Sequence, residues 1–345
     1  MCSSDLPMKL LSLCLFLTAS LLLLDHNSAL AEPYNPLKTT ENGSSKPIDI
    51  TMRDKNRDRD IPLRIYLPAQ KQAAPVVLFS HGLGGSRTGC QYLGEHWSAR
   101  SYVVVYMQHA GSDEAVWKQA SLLERLKAMK AATTVQNTVD RYQDVSAVLD
   151  QLALWNNDST SQFHKKLDLQ HIGMSGHSYG AVTTQGVSGQ AWRLVGQRFT
   201  DPRIEAAVMF SPSTQGRTDP ALSFGEVKIP WMLLTGTKDT SPINNTTVAD
   251  RRKVYQGLPD TIDKYELVLI DAPHSAFADG NERPGRYRRN PKYHEEILAV
   301  TTAFWDTYLR RNENARVWLQ GKPCQQQFDP KDEWQFQTRS GKKTE

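Results

Sequence analysis

Cysteine is scarce in this chain: 345 residues carry four, at positions 2, 14, 90 and 324. No Cys/His cluster has zinc spacing, and Asp239 and Asp279 are not spaced as a metal pair. No phosphate-cradling loop and no internal repeat is present, so neither a metal nor a cofactor is expected. Charge of one sign is also lacking. Forty-one basic residues stand against thirty-seven acidic ones, a formal net charge of +4, too even for a dedicated nucleic-acid binder. Glycine (21) and proline (18) are near average, which excludes collagen-like and low-complexity chains. With 39% hydrophobic and 23% charged residues, the chain has the composition of a globular protein.

Long apolar runs are missing except at the start. Met8-Lys9 is followed by an apolar stretch from Leu10 to Leu24, and the segment ends Ala29-Leu30-Ala31. A short basic start, an apolar run and an A-x-A end predict a secretory signal peptide over residues 1–31. The run is short for a membrane span, which needs about 20 apolar residues, so no stable membrane insertion is expected once it is cleaved. An uncleaved anchor is the alternative reading. Cleavage would leave Cys90 and Cys324, which are expected to pair in an exported protein.

Residues 32–46, with Pro33, Pro36 and Gly43, are expected to form an exposed polar lead-in. The alternating segments Ile48–Met52 and Ile61–Leu67 then predict an antiparallel hairpin. Five later runs are nearly all apolar: Pro75–Ser80, Tyr102–Met107, Ile204–Phe210, Trp231–Leu234 and Tyr265–Ile270. Such runs suit strands buried on both faces of a parallel sheet. Helical spacing falls between and after them, in Val145, Val148, Leu149 and Leu152 and in Ile297, Val300, Phe304 and Tyr308. The expected class is α/β, a mostly parallel doubly wound sheet opened by an antiparallel hairpin. The catalytic domain is placed at 47–320. An insertion at 109–138, with Trp117, Leu122, Leu123, Leu126 and Met129 at helical spacing, either overhangs a ligand site or covers core. A polar tail at 321–345 is expected to pack loosely or stay disordered.

Gly176-His177-Ser178-Tyr179-Gly180 matches G-x-S-x-G between a predicted strand, Leu167–Met174, and a predicted helix beginning at Ala181. A serine on a tight strand-to-helix turn needs small residues two positions either side, which is the logic of the nucleophile elbow. Serine is a weak nucleophile without a base. The α/β-hydrolase order is Ser, then acid, then His, each after its own strand. Ser178, Asp239 and His274 satisfy it. His294 is the other histidine beyond the serine, but it opens a helix and is expected to be solvated. Asp271 is the rival acid, too close in sequence to His274 to approach it from another strand. The oxyanion donors are expected to be the backbone N–H groups of Tyr179 and Leu83, the latter in the loop Ser80-His81-Gly82-Leu83-Gly84-Gly85.

These motifs resemble the serine α/β-hydrolases of the dienelactone-hydrolase-like group, closest to the platelet-activating-factor acetylhydrolase and chlorophyllase-like branch. The resemblance is carried by Val77–Gly84, by Tyr102–Val105 with Gln108-His109, by the elbow, and by His274 with Phe277-Ala278-Asp279. It covers roughly residues 48–310. It implies an α/β-hydrolase fold and cleavage of carboxylic esters, often with short acyl groups. Dienelactone hydrolases use cysteine as nucleophile, so Ser178 argues against dienelactone itself.

Arg283, Arg286, Arg288, Arg289 and Lys292 form a basic cluster that either attracts an acidic substrate or belongs to a solvated loop. The sequence thus reads as a secreted or periplasmic serine esterase with a small-molecule ester substrate. An amidase or peptidase using the same residues, and a non-catalytic hydrolase-fold binding protein, are the alternatives.

Overall fold

A computed structural model describes residues 32–39, 46–121, 123–215, 219–241, 243–279 and 290–344. Tyr34–Glu345 forms one compact unit. In chain order its elements are β1 (Ile48–Asp54), β2 (Arg59–Tyr66), β3 (Ala74–Ser80), α1 (Gln91–Ala99), β4 (Val103–Met107), α2 (Ala115–Lys118) and α3 (Arg125–Ala131). There follow α4 (Val135–Asn157), β5 (Leu167–His177), α5 (Tyr179–Val187), β6 (Ile204–Phe210), α6 (Pro220–Phe224) and β7 (Trp231–Lys238). The chain continues with α7 (Val248–Gly257), β8 (Lys264–Pro273), a 3₁₀ turn (His274–Phe277), α8 (Lys292–Tyr308), α9 (Glu313–Leu319), α10 (Lys322–Gln325) and β9 (Glu333–Gln337).

The described strands form one sheet in the order β1-β2-β4-β3-β5-β6-β7-β8-β9. The block from β4 to β8 is parallel. β1 and β2 make the expected antiparallel hairpin, with Ile48 opposite Ile65. Alternate residues of each central strand feed opposite faces. Val77, Phe79, Val104 and Tyr106 pack with Trp97 of α1 and Phe304 and Trp305 of α8. Val76, Leu78, Val103 and Val105 pack with Val145, Val148, Leu149 and Leu152 of α4. This is the mostly parallel, doubly wound architecture of the α/β-hydrolases.

Three expectations need correction. The tail is not loose. Its residues 333–337 pair antiparallel with β8, setting Phe336 opposite Tyr265 and Trp334 opposite Leu267. Glu-Trp-Gln-Phe-Gln alternates apolar and polar, and Phe336 is buried. Cys90 and Cys324 do not pair. Both are buried thiols, and the Cys90 Sγ approaches the Phe277 carbonyl oxygen at 3.4 Å. Burial pushes the Cys324 thiol well up, which disfavours its thiolate form. The described lead-in residues 32–39 are anchored as well. Pro36 is buried, and the Tyr34 hydroxyl donates to Asp306 at 2.7 Å. Residues 1–31, holding the expected leader, and Arg283, Arg286, Arg288 and Arg289 of the basic cluster lie outside the described residues. Lys292 is described and pairs with Glu296 at 3.3 Å.

Candidate active site

Ligand sites of open α/β sheets lie at the carboxyl ends of the strands. Here Ser80 ends β3, and Ser178, Asp239 and His274 directly follow β5, β7 and β8. Ser178 adopts φ 57°, ψ −112°, a left-handed conformation that costs a non-glycine residue of order 1–3 kcal/mol. The turn is tight because its flanks have no side chains. A Cβ on Gly176 would sit 2.8 Å from the Ser80 carbonyl oxygen, and one on Gly180 would overlap that same oxygen. The strain thus aims Ser178 Oγ off the end of the sheet.

The structure brings Ser178, His274 and Asp239 into one hydrogen-bonded chain. Ser178 Oγ is 2.9 Å from His274 Nε2, and His274 Nδ1 is 2.7 Å from Asp239 Oδ1. The other carboxylate oxygen of Asp239 accepts from Ser211 at 2.7 Å and Thr235 at 2.9 Å. Burial works to raise the Asp239 carboxyl, but the His274 hydrogen bond and the Arg251 charge outweigh it and hold it below the usual range. The rival residues face elsewhere. Asp271 pairs with Lys238 at 2.8 Å. His294 is half-buried rather than solvated, stacked on Tyr92 with centroids 3.5 Å apart.

Leu83 and Tyr179 line the same cavity of about 260 Å³ as Ser178 and His274. Tyr179 opens α5, and a helix leaves its first N–H groups without intrahelical acceptors. The Leu83 loop is braced from behind. Arg141 of α4, fully buried, donates to Ser112 Oγ at 2.8 Å, Thr183 Oγ1 at 2.8 Å and Ser80 Oγ at 3.0 Å, and also to the His81 carbonyl. The His109 N–H donates to His81 Nε2 at 3.0 Å, and His81 Nδ1 in turn faces the Gly82 carbonyl at 2.7 Å. That pattern requires a neutral His81, and burial holds its pKa well down.

Ser80, His109 and Asp144 form a second Ser-His-Asp chain, with both contacts 2.9 Å. All three side chains are fully buried, and Ser80 Oγ is already engaged by Arg141. This buried chain is a brace between the Leu83 loop and α4. Asp144 extends the brace to Arg57 and Arg59 of the N-terminal hairpin at 2.8 and 2.9 Å.

The 109–138 insertion caps the loop. Trp117 Nε1 donates to the Gly84 carbonyl at 2.6 Å, and Met129 and Thr133 line the cavity. Gly84 has φ +70°, and a Cβ there would meet Trp117 at 2.8 Å. Asp279, part of the C-terminal motif, accepts from the Gln91 N–H at the start of α1. Sequence reasoning missed Ser211, Thr235, Arg141 and Arg251. The Arg residues sit in charged helical stretches that look solvated, and only the topology buries them. A larger groove of about 870 Å³ beside the β1–β2 turn and α4 contains none of Ser178, Asp239 and His274.

No protein-family model matches the chain. It is 24% identical over 224 residues to Cutinase 2 of Thermobifida cellulosilytica, covering 65% of this chain and 69% of that one. It is 24% identical over 224 residues to Cutinase cut1 of Thermobifida fusca, covering 65% of this chain but only 56% of the cutinase. Cutinase 1 of Thermobifida cellulosilytica is 23% identical over 266 residues, 75% of this chain and 85% of that one. Fold and similarity together support placing the chain in the serine-hydrolase superfamily of α/β-hydrolases. The likeness does not single out the dienelactone-hydrolase-like or acetylhydrolase branch.

Proposed function

We propose that this protein is an exported serine esterase, acetylhydrolase-like in preferring short acyl groups, that works through an acyl-enzyme. The observation that carries the reading is the Ser178–His274–Asp239 chain opening on a cavity of about 260 Å³. Ser178 attacks the ester carbonyl as His274 Nε2 accepts its proton. Asp239 holds the Nδ1–H and stabilises the imidazolium. The N–H groups of Leu83 and Tyr179 receive the oxyanion. His274 then protonates the departing alcohol, and later activates the water that frees the acid.

Similarity to proteins named cutinases supports esters over amides. The small cavity, walled by Met129 and Thr133 of the insertion, supports short acyl chains. Export rests on the leader sequence. Among the described residues, no helix is long and apolar enough to cross a membrane.

The test is a panel of p-nitrophenyl acetate, butyrate, octanoate and palmitate with matched anilides, run on the parent protein and Ser178→Ala. Rates are expected to peak at a short acyl length, with anilides far slower. Ser178→Ala should lower turnover by roughly 10⁴-fold or more, and Asp239→Asn somewhat less. A steady rise through palmitate would favour a lipase, and comparable anilide rates an amidase. Near-full activity in folded Ser178→Ala would end the proposal.

A further inference from the structure

Arg251 is a buried cation beneath the site that nothing in the reaction just described requires. It lies in the first turns of α7, which is closed by a capping box between Thr247 and Asp250. Its residue is 2% exposed. Nε lies 3.0 Å from Asp239 Oδ1 and donates to the Asp239 carbonyl at 2.8 Å. One Nη donates to the carbonyls of Ser211 and Pro212 at 2.9 and 3.0 Å. The other stands 3.2 Å from His274 Nδ1. One planar fork therefore touches residues at the carboxyl ends of β6, β7 and β8.

Asp239 Oδ1 is shared between the imidazole Nδ1–H and the guanidinium, while Oδ2 is held by two hydroxyls. Donors on both oxygens fix the plane of the carboxylate. That plane decides where the imidazole points. A buried guanidinium is costly unless paired. Its geometry, spanning a carboxylate and three backbone carbonyls, is one that a lysine ammonium cannot reproduce.

We propose that Arg251 is a positioning residue. It fixes the Asp239 carboxylate and the spacing of the β6 and β8 ends, so that His274 stays in line with Ser178. It acts through Asp239 rather than on the ester. The inference rests on the esterase reading of this site.

The test compares Arg251→Met, Arg251→Lys, Asp239→Asn and Arg251→Met/Asp239→Asn on p-nitrophenyl butyrate. Ser178→Ala serves as the blank, and Lys253→Met, on the exposed side of α7, as the control. Arg251→Met is expected to lower kcat by roughly 10–100-fold with KM within about twofold. Arg251→Lys should recover part of the loss. In the Asp239→Asn background the Met change should cost no more than about threefold, because both act through one carboxylate. Equal losses in the two backgrounds, a loss confined to KM, or parent kcat in the folded variants would overturn the proposal. If Arg251→Met does not fold, Arg251→Lys decides: reduced kcat at parent KM supports the role, and parent kcat refutes it. Activity surviving in Ser178→Ala would instead remove the esterase reading. An inactive Ser178→Ala beside fully active Arg251 variants would remove only this inference.

Discussion

Replacing Phe336 by alanine tests whether the C-terminal segment belongs to the fold. Phe336 is 3% exposed, stands opposite Tyr265 in the β8–β9 register and stacks on it with centroids 5.8 Å apart. Burying such a ring stabilises by about 1.5–3 kcal/mol, and the void left behind raises the loss on truncation to about 3–5 kcal/mol. At about 2–3 °C for each kcal/mol in a long chain, Tm should fall by about 6–15 °C. Differential scanning calorimetry on the variant and on Lys342→Ala, an exposed control in the same segment, reads this directly. The rate at 25 °C should be unchanged, because Phe336 packs at the amino end of β8 and His274 follows its carboxyl end. A Tm change within about 1 °C, the size expected of a surface substitution, would refute the packed β9 and restore a loose tail.

Gly180→Ala should destabilise by about 1–3 kcal/mol and lower kcat, since its Cβ overlaps the Ser80 carbonyl oxygen. Gly89→Ala, whose Cβ would meet only Ser86 at 3.6 Å, is the control for urea midpoints and rates, and equal behaviour of the two would contradict the tight elbow. Acid should weaken the fold well above pH 4. Burial pushes His96 and His109 down to about 4 and His177 to about 3. Their folded pKa values lie below the unfolded 6.5, so the unfolded chain binds protons first and stability falls as pH drops below about 6.5. Glu296, raised to about 7 by burial and by the Asp332 charge, acts oppositely down to about pH 4.5. His81, also held well down by burial, acts in the same sense as these three, so the histidines outweigh Glu296 and stability is expected to fall by roughly 2–4 kcal/mol between pH 6 and 5. Urea midpoints at pH 7, 6 and 5 check the slope, and a flat series would contradict it.

The strands were readable because each element buried on both faces is a continuous apolar run, as in Val76–Phe79 and Ala206–Phe210. The elbow was readable because its steric demand selects glycine at 176 and 180. Ser178, Asp239 and His274 were picked out by the α/β-hydrolase order of serine, acid and histidine, each after its own strand. Other features depend on what the fold brings together. Trp334 and Phe336 alternate as a strand should, but five residues in a polar tail give a weak signal until β8 offers an edge. The helix expected around Val145, Val148, Leu149 and Leu152 starts at Val135, and Thr134 caps it by accepting from the Asn137 N–H at 3.0 Å, a cue present in the sequence. Arg141 and Arg251 look like solvated helix charges in sequence, and their buried partners lie 12 to 61 positions away.

The central claim is that Ser178 carries the acyl group. Rapid acid quench after mixing with p-nitrophenyl butyrate, followed by peptide mass mapping, tests it most directly. The account predicts a butyryl mass increment on the peptide containing Ser178, absent in Ser178→Ala and prolonged in His274→Ala treated with a more reactive ester. An increment on any other residue, or turnover of the ester with no trapped acyl-enzyme and full activity in Ser178→Ala, would contradict it.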